Sequence, residues 1–427
     1  MGYHNSHQEI RVLSVEDAIE TLTKLEHRLK EGTSVKQRKR VKGVQSLSLT
    51  LALADTSVPQ DEQLVTLCQG VARCFPKLKS LQLSSEIEHE EHPESHGHTF
   101  CIPVQALTAL LHPNKGLKKL NELTLDGLYF HANDESIRIL VKAISRHDGI
   151  KKCYLYDTKM TNLSSGRSAM EKFVSAIAKK VEKLVIIGCR LAALEEAEAG
   201  VWDGSCLVKL CRSTTLQEVK LHNIRELQEE HMVLMSQALT TNTSIRKLSI
   251  LKTQELADLP PEESLHASNH RQLDKKKKKK SSRRSNRQTL SSDAGTLAMA
   301  NMLRENTTLE EICLSAVDFN EYSAMFLGNA LEQDNTTLRE LWLMIPAHNG
   351  GTSSFPVDDR RIEHYLRLNR AGRYRVMQQA ADAGGSMIPT GDERKFWINT
   401  LLVSKRDIDC SFFLLRNMPS LCDGTIR

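Results

Sequence analysis

An apolar signature, Leu-x-x-Leu-x-Leu with conservative replacements, returns nine times between residues 44 and 343, and self-similarity on this scale constrains the fold before any local motif does. The copies are Val44-Leu47-Leu49, Leu78-Leu81-Leu83, Leu120-Leu123-Leu125, Ile150-Cys153-Leu155, Val181-Leu184-Ile186, Leu216-Val219-Leu221, Ile245-Leu248-Ile250, Leu309-Ile312-Leu314 and Leu338-Leu341-Leu343. In each copy the last two apolar positions are two apart, the period of a strand with one buried face, and the first sits at the turn leading in. The middle position advances from 47 in steps of 34, 42, 30, 31, 35, 29, 64 and 29, so the shortest steps set the period. A unit of this kind buries its apolar face only against its neighbours, which predicts a solenoid.

Between strands the spacing turns helical. Met232, Met235, Ala238 and Leu239 share one face of a helix beginning near Glu229, and similar helices are predicted at 135–145, 168–180, 293–304 and 321–332. Their exits repeat as well: Leu239 to Ile245 through Asn242, Leu303 to Leu309 through Asn306, and Leu331 to Leu338 through Asn335.

These residues resemble the ribonuclease-inhibitor-like class of leucine-rich repeats over roughly residues 40 to 346. The resemblance implies an α/β horseshoe with parallel strands on the concave face and helices outside. That class often carries Asn or Cys three places after the last strand leucine. Here Cys189 matches and Thr158 and Thr253 can substitute, whereas Glu86, Leu128, Ile224, Val317 and Pro346 cannot, so irregular turns are expected.

The predicted organisation is an N-terminal capping helix within 1–36, a solenoid over 37–346 and a helical region over 347–427. Ser14 is the expected N-cap of the first helix, with Asp17 three residues on, and Gly32 its stop. Helical patterns at the other end surround Ile362 and Leu366, then Phe396 to Leu402, then Cys410 to Met418. The strings from His364 to Arg373 and from Phe412 to Cys422 are similar to a tail on uncharacterised members of the class in microalgae.

No apolar run approaches the 18 or so residues that span a bilayer, and the N-terminus has no apolar signal region, so neither a membrane span nor secretion is expected. The ten cysteines show no framework spacing, and Cys153, Cys211 and Cys313 fall at positions read as core. A cytoplasmic or nuclear protein with reduced thiols is the expectation. Net charge is +5, but the run from Asp274 to Arg287 alone carries nine basic residues and one acidic one, leaving −3 for the rest. The body is not basic, which argues against nucleic acid as its partner.

The step of 64 residues holds a polar insertion over 256–292 that is predicted to be disordered, and its Lys275, Lys276, Lys277, Lys278, Lys279, Lys280, Arg283, Arg284 and Arg287 form a candidate nuclear-localisation signal. An import receptor is the implied partner; a solvated loop is the plain alternative. The step of 42 holds a loop over 86–101 with His89, His92, His96 and His98, whose spacing fits no established zinc pattern, so neither a metal nor any cofactor is expected.

The remaining candidate surface is the concave one, where residues between the strand leucines point away from the core. Its central row reads Gln82, Thr124, Tyr154, Val185, Lys220, Ser249, Cys313 and Trp342. Tyr154, Tyr156 and Trp342 are the candidate anchors for a protein partner, flanked by Lys151, Lys152, Lys220, His222, Arg246 and Lys247. For Trp342 the alternative is burial beneath the C-terminal helices. The reading is a non-enzymatic interaction scaffold. Two alternatives stand beside it: a GTPase-activating protein, because Ran-directed activators share the fold, and a ubiquitin-ligase adaptor, for which no docking motif is found. The resemblance does not extend to ribonuclease inhibition, because those inhibitors are cysteine-rich and strongly acidic.

Overall fold

The computed structural model describes residues 7–12, 14–31, 44–51, 60–85, 101–162, 169–192, 202–224, 226–251, 293–315, 321–346, 352–356, 360–374, 376 and 408–417. Thr253, the histidine-rich loop before Cys101, the basic run 275–287 and the pattern from Phe396 to Leu402 lie outside these residues.

Strands and helices alternate along the chain. The strands are β1 (His7–Val12), β2 (Ser46–Leu51), β3 (Ser80–Ser85), β4 (Cys101–Pro103), β5 (Glu122–Asp126), β6 (Tyr129–Ala132), β7 (Lys152–Tyr156), β8 (Lys159–Asn162), β9 (Lys183–Ile187), β10 (Glu218–His222), β11 (Lys247–Leu251), β12 (Glu311–Ser315), β13 (Glu340–Pro346) and β14 (Thr352–Pro356). The helices are α1 (Val15–Glu31), α2 (Asp61–Cys74), α3 (Val104–Leu111), α4 (Asp134–Arg146), α5 (Ala169–Ile177), α6 (Ser205–Cys211), α7 (Glu229–Thr240), α8 (Asp293–Glu305), α9 (Glu321–Gln333), α10 (Arg360–Arg370) and α11 (Ile408–Asn417).

Nine strands carrying the signature stand side by side in one sheet, all parallel, with β1 added parallel at one end and β14 antiparallel at the other. The chain is a leucine-rich-repeat solenoid, with strands lining the concave face and helices on the convex one. Register is in step from copy to copy: Leu81 pairs with Leu123, Leu123 with Cys153, Cys153 with Leu184, and Leu184 with Val219. Along β3, β5, β7, β10 and β11 the leucine positions are buried and those between them are partly open, as the pleat requires. A second sheet, β4-β6-β8, follows the first on the exit side of three repeats. Its strands, three or four residues long, leave no period in the sequence.

Two recurrent turns hold the copies in step. Leaving the strand, residues 127, 157, 188 and 223 all adopt left-handed φ values, 63°, 43°, 67° and 55°, and each N–H donates to the last strand residue of the next copy. Gly, Asp, Gly and Asn are the residues that tolerate this conformation. At Gly188 there is also no room, since a Cβ would stand 1.9 Å from Asp157 Oδ1. One place on, Thr158 is fully buried with its hydroxyl 3.1 Å from the Leu125 carbonyl and 3.0 Å from that of Tyr156, and Cys189 Sγ lies 3.5 Å from the Ile187 carbonyl. Leu128 and Ile224 fill the same place by burial, which is how the turn proceeds without the expected Asn.

Entering the strand, the asparagines do appear. Asn242, Asn306 and Asn335 are buried; each Oδ1 accepts the N–H groups two and three residues on, and each Nδ2 donates to carbonyls of the preceding copy. Ser213 and His147 hold the equivalent place in earlier copies, His147 Nε2 donating to the Leu117 carbonyl and its Nδ1 accepting from Gly149 N–H. The ladder ends at Asn369, which donates to the Asn335 and Leu338 carbonyls from the end of α10. Arg373 then caps the end of α9 at the Leu331 carbonyl, 2.7 Å away. Helix α10 thus docks by the same device as a repeat.

At the other end Ser14 Oγ accepts the Asp17 N–H at 3.3 Å, and α1 packs on α2. Buried cysteines serve the core as small apolar residues, burial pushing the thiols of Cys68, Cys189 and Cys211 up to about 12 and that of Cys74 to about 11. Cys313 is not among them. The register places it on the concave face beside Trp342, where it is half-buried.

Candidate interaction surface on the concave face

The sheet register brings the predicted anchors into rows. Gln82, Thr124, Tyr154, Val185, Lys220, Ser249, Cys313 and Trp342 are successive partners across the central row. Tyr156, Ile187 and His222 follow one another in the row two residues downstream.

Tyr154 and Tyr156 alternate on β7, so both rings rise from one face and stack with centroids 6.4 Å apart and planes 12° from parallel. Two aromatics held in this way lose little entropy on binding. Val185, expected to be open, is only 4% exposed, because it is a short side chain in register between Tyr154 and Lys220. It forms the floor of the patch. Trp342 is 40% exposed, with Nε1 donating to Glu340 at 3.1 Å, so it is not covered by the C-terminal helices.

The flanking basic residues are not free cations. Lys151 meets Glu182 at 2.9 Å, Lys152 meets Glu122 at 3.7 Å, Arg246 meets Glu310 at 3.4 Å and Lys247 meets Glu311 at 2.5 Å. The acceptors come from neighbouring copies, at or just before the first residue of the strand. Lys183, not among the candidates named from the sequence, joins the patch: its ammonium lies 5.8 Å from the Tyr154 ring centroid and 2.9 Å from Glu218. Aligning the copies by their leucines would have revealed the partners, since Lys183 and Glu218 are register mates.

Electrostatics follow from this packing. Burial raises the Tyr154 hydroxyl above its ordinary range, with the Lys183 ammonium opposing, so the ring stays neutral. Burial also raises Glu218, but the hydrogen bond and charge of Lys183, with those of Lys220, outweigh it and hold this carboxyl below its ordinary range. Burial and the Lys220 charge hold His222 below the usual His range, and its Nε2 lies 2.8 Å from Ser249 Oγ. Burial raises the Cys313 thiol against Ser249 and Lys220, which leaves it a poor nucleophile near neutral pH.

No family model and no curated protein matches this chain. Among solved structures it is similar to the leucine-rich-repeat-containing protein LegL7 from Legionella pneumophila, at 12% identity and a TM-score of 0.38, over 84% of this chain and 96% of that one. Among the described residues no group of three or more His, Cys, Asp or Glu could hold a metal ion, and no helix is long and apolar enough to cross a membrane.

Proposed function

We propose that this protein is a non-enzymatic interaction scaffold of the ribonuclease-inhibitor-like kind, which holds a protein partner on its concave face. The carrying observation is the patch built from the stacked Tyr154–Tyr156 pair, floored by Val185 and bordered by Ile187 and His222. Its side chains are fixed by their strands, so a partner would bind without a large ordering cost. Trp342 extends the surface toward the C-terminal end. The test is affinity capture with the wild type and a Tyr154→Ala/Tyr156→Ala variant. The double variant is expected to keep its melting temperature within a few degrees and to lose the captured partner; recovery of the same partner in equal amount defeats the reading.

The basic run from Lys275 to Arg287 is proposed as a nuclear-import signal, which would place the protein in both cytoplasm and nucleus. Replacing Lys275 to Lys280 with Gln is expected to shift a tagged protein out of the nucleus. An unchanged distribution removes this proposal and leaves the concave-face reading intact.

A further inference from the structure

The charges on the concave face do not balance at the aromatic patch, and the imbalance bears on what can cover it. On β7, β9, β10 and β11 the ionised side chains in the face-directed rows are Lys152, Lys183, Lys220 and Lys247, against Glu218 alone. Glu122 of β5 answers Lys152 and Glu311 of β12 answers Lys247. Glu218 is left to serve both Lys183, at 2.9 Å, and Lys220, at 3.4 Å. Among the described residues one positive charge therefore stands beside the tyrosine pair without a carboxylate of its own.

Neighbouring groups do not supply it. His222 is held neutral, and the rim carboxylates of Glu182 and Glu310 are engaged with Lys151 and Arg246. Asp126 and Glu340 each lie three strand spacings from β10, about 14 Å, and Asp157 is two spacings away and three residues further along than the Tyr154 row, so solvent screening has removed most of their effect. In the free protein, water solvates the surplus charge. A partner that covers Tyr154 also covers Lys183, so the ammonium groups lose that water. A desolvated cation without a counter-charge opposes binding, while a carboxylate placed there offsets the loss and excludes partners that lack one.

We propose that the concave face takes a linear acidic segment of a protein partner, with an Asp or Glu carboxylate against the Lys183 and Lys220 ammonium groups that Glu218 alone now serves and an apolar side chain on the Tyr154–Tyr156 pair. This rests on the concave face being the binding surface. Tyr154 and Lys220 are two strand spacings apart, about 10 Å, which an extended segment bridges with residues two to four apart.

The test is selection of a phage-displayed random dodecapeptide library on the full-length protein, followed by fluorescence anisotropy of the recovered peptides. Wild type, Lys220→Glu and Tyr154→Ala/Tyr156→Ala are compared, with circular dichroism melting to show that each variant is folded. Recovered peptides are expected to share an acidic residue two to four places from an aromatic or aliphatic one. Lys220→Glu is expected to weaken them at least tenfold, roughly the loss when a close charge pair is turned into repulsion, and to select Lys or Arg at the acidic place. Peptides that lose the tyrosine variant but bind Lys220→Glu as tightly as wild type overturn the acidic partner and leave the concave reading standing. Peptides that bind all three proteins equally defeat both. Failure to enrich any peptide overturns the linear segment.

Discussion

Replacing Asn306 with Ala strips a turn of its internal template, and the structure lets the cost be worked out group by group. Asn306 is 3% exposed; its Oδ1 accepts the Thr308 N–H at 3.0 Å and the Leu309 N–H at 2.8 Å. Its Nδ2 donates to the Leu239 and Asn242 carbonyls. Those carbonyls keep other donors, the Asn242 N–H and the Thr308 hydroxyl, so they lose strength rather than satisfaction. The two N–H groups have no replacement, and one is fully buried. Two orphaned donors at about 1–2 kcal/mol each put the destabilisation at about 3 kcal/mol. Asn369 at the end of the ladder is the internal control. Among the described residues its Oδ1 accepts nothing, so Asn369→Ala orphans no N–H; it removes a donor from the Asn335 and Leu338 carbonyls and is expected to cost about 1–2 kcal/mol, less than Asn306→Ala. Asn306→Ser should recover part of the loss, because Ser213 performs the same acceptance with its hydroxyl. Urea unfolding followed by circular dichroism gives the energies, and hydrogen exchange over 303–312 reports the Leu309 amide directly. Equal losses in the two Ala variants, or a protected Leu309 amide in Asn306→Ala, refute the reasoning.

Two further outcomes are expected. Gly188→Ala combines a left-handed φ with a Cβ 1.9 Å from Asp157 Oδ1, whereas at Gly127 the nearest atom is 3.3 Å away, so Gly188→Ala should cost about 2–3 kcal/mol and Gly127→Ala about 1, read from unfolding midpoints; the reverse order contradicts the turn geometry. His147 is held below the usual His range by burial, with Lys180 adding to this and the Leu117 carbonyl and Asp148 opposing it. Its Nδ1 accepts the Gly149 N–H, a bond that protonation destroys. The unfolded chain therefore takes the proton first, so stability should be full above about pH 6.5 and fall as pH drops below that through the folded-state value. His147→Asn, which supplies the ladder residue of later copies, should flatten the melting temperature between pH 7 and 5, with a residual slope from His222; an unchanged slope counts against the assignment.

Much of the fold was legible because two periods of different physical origin alternate along the chain. The strand leucines mark a pleat with one buried face, and the helix stripes mark the side packed against it. The turn chemistry was legible only in part. Asn242, Asn306 and Asn335 repeat visibly in the sequence, but His147 and Ser213 do the same work with different side chains, so no residue pattern links them. The β4-β6-β8 sheet gave no signal, since strands of three or four residues are too short to show a period. At the candidate surface, Tyr154 and Tyr156 could be named from their places between the leucines. The partners of the lysines could not, because an ion pair between copies 31 to 64 residues apart depends on which copies are neighbours.

The sequence by itself determined that this chain is a stack of strand-and-helix units, because each copy is apolar on one side only and has nothing but its neighbours to bury against. The tertiary structure alone decided the electrostatic character of the concave face. Charge balance there is set largely between strands: only the register shows that Lys183 of β9 meets Glu218 of β10, which Lys220 of the same strand also engages, beside the tyrosine pair.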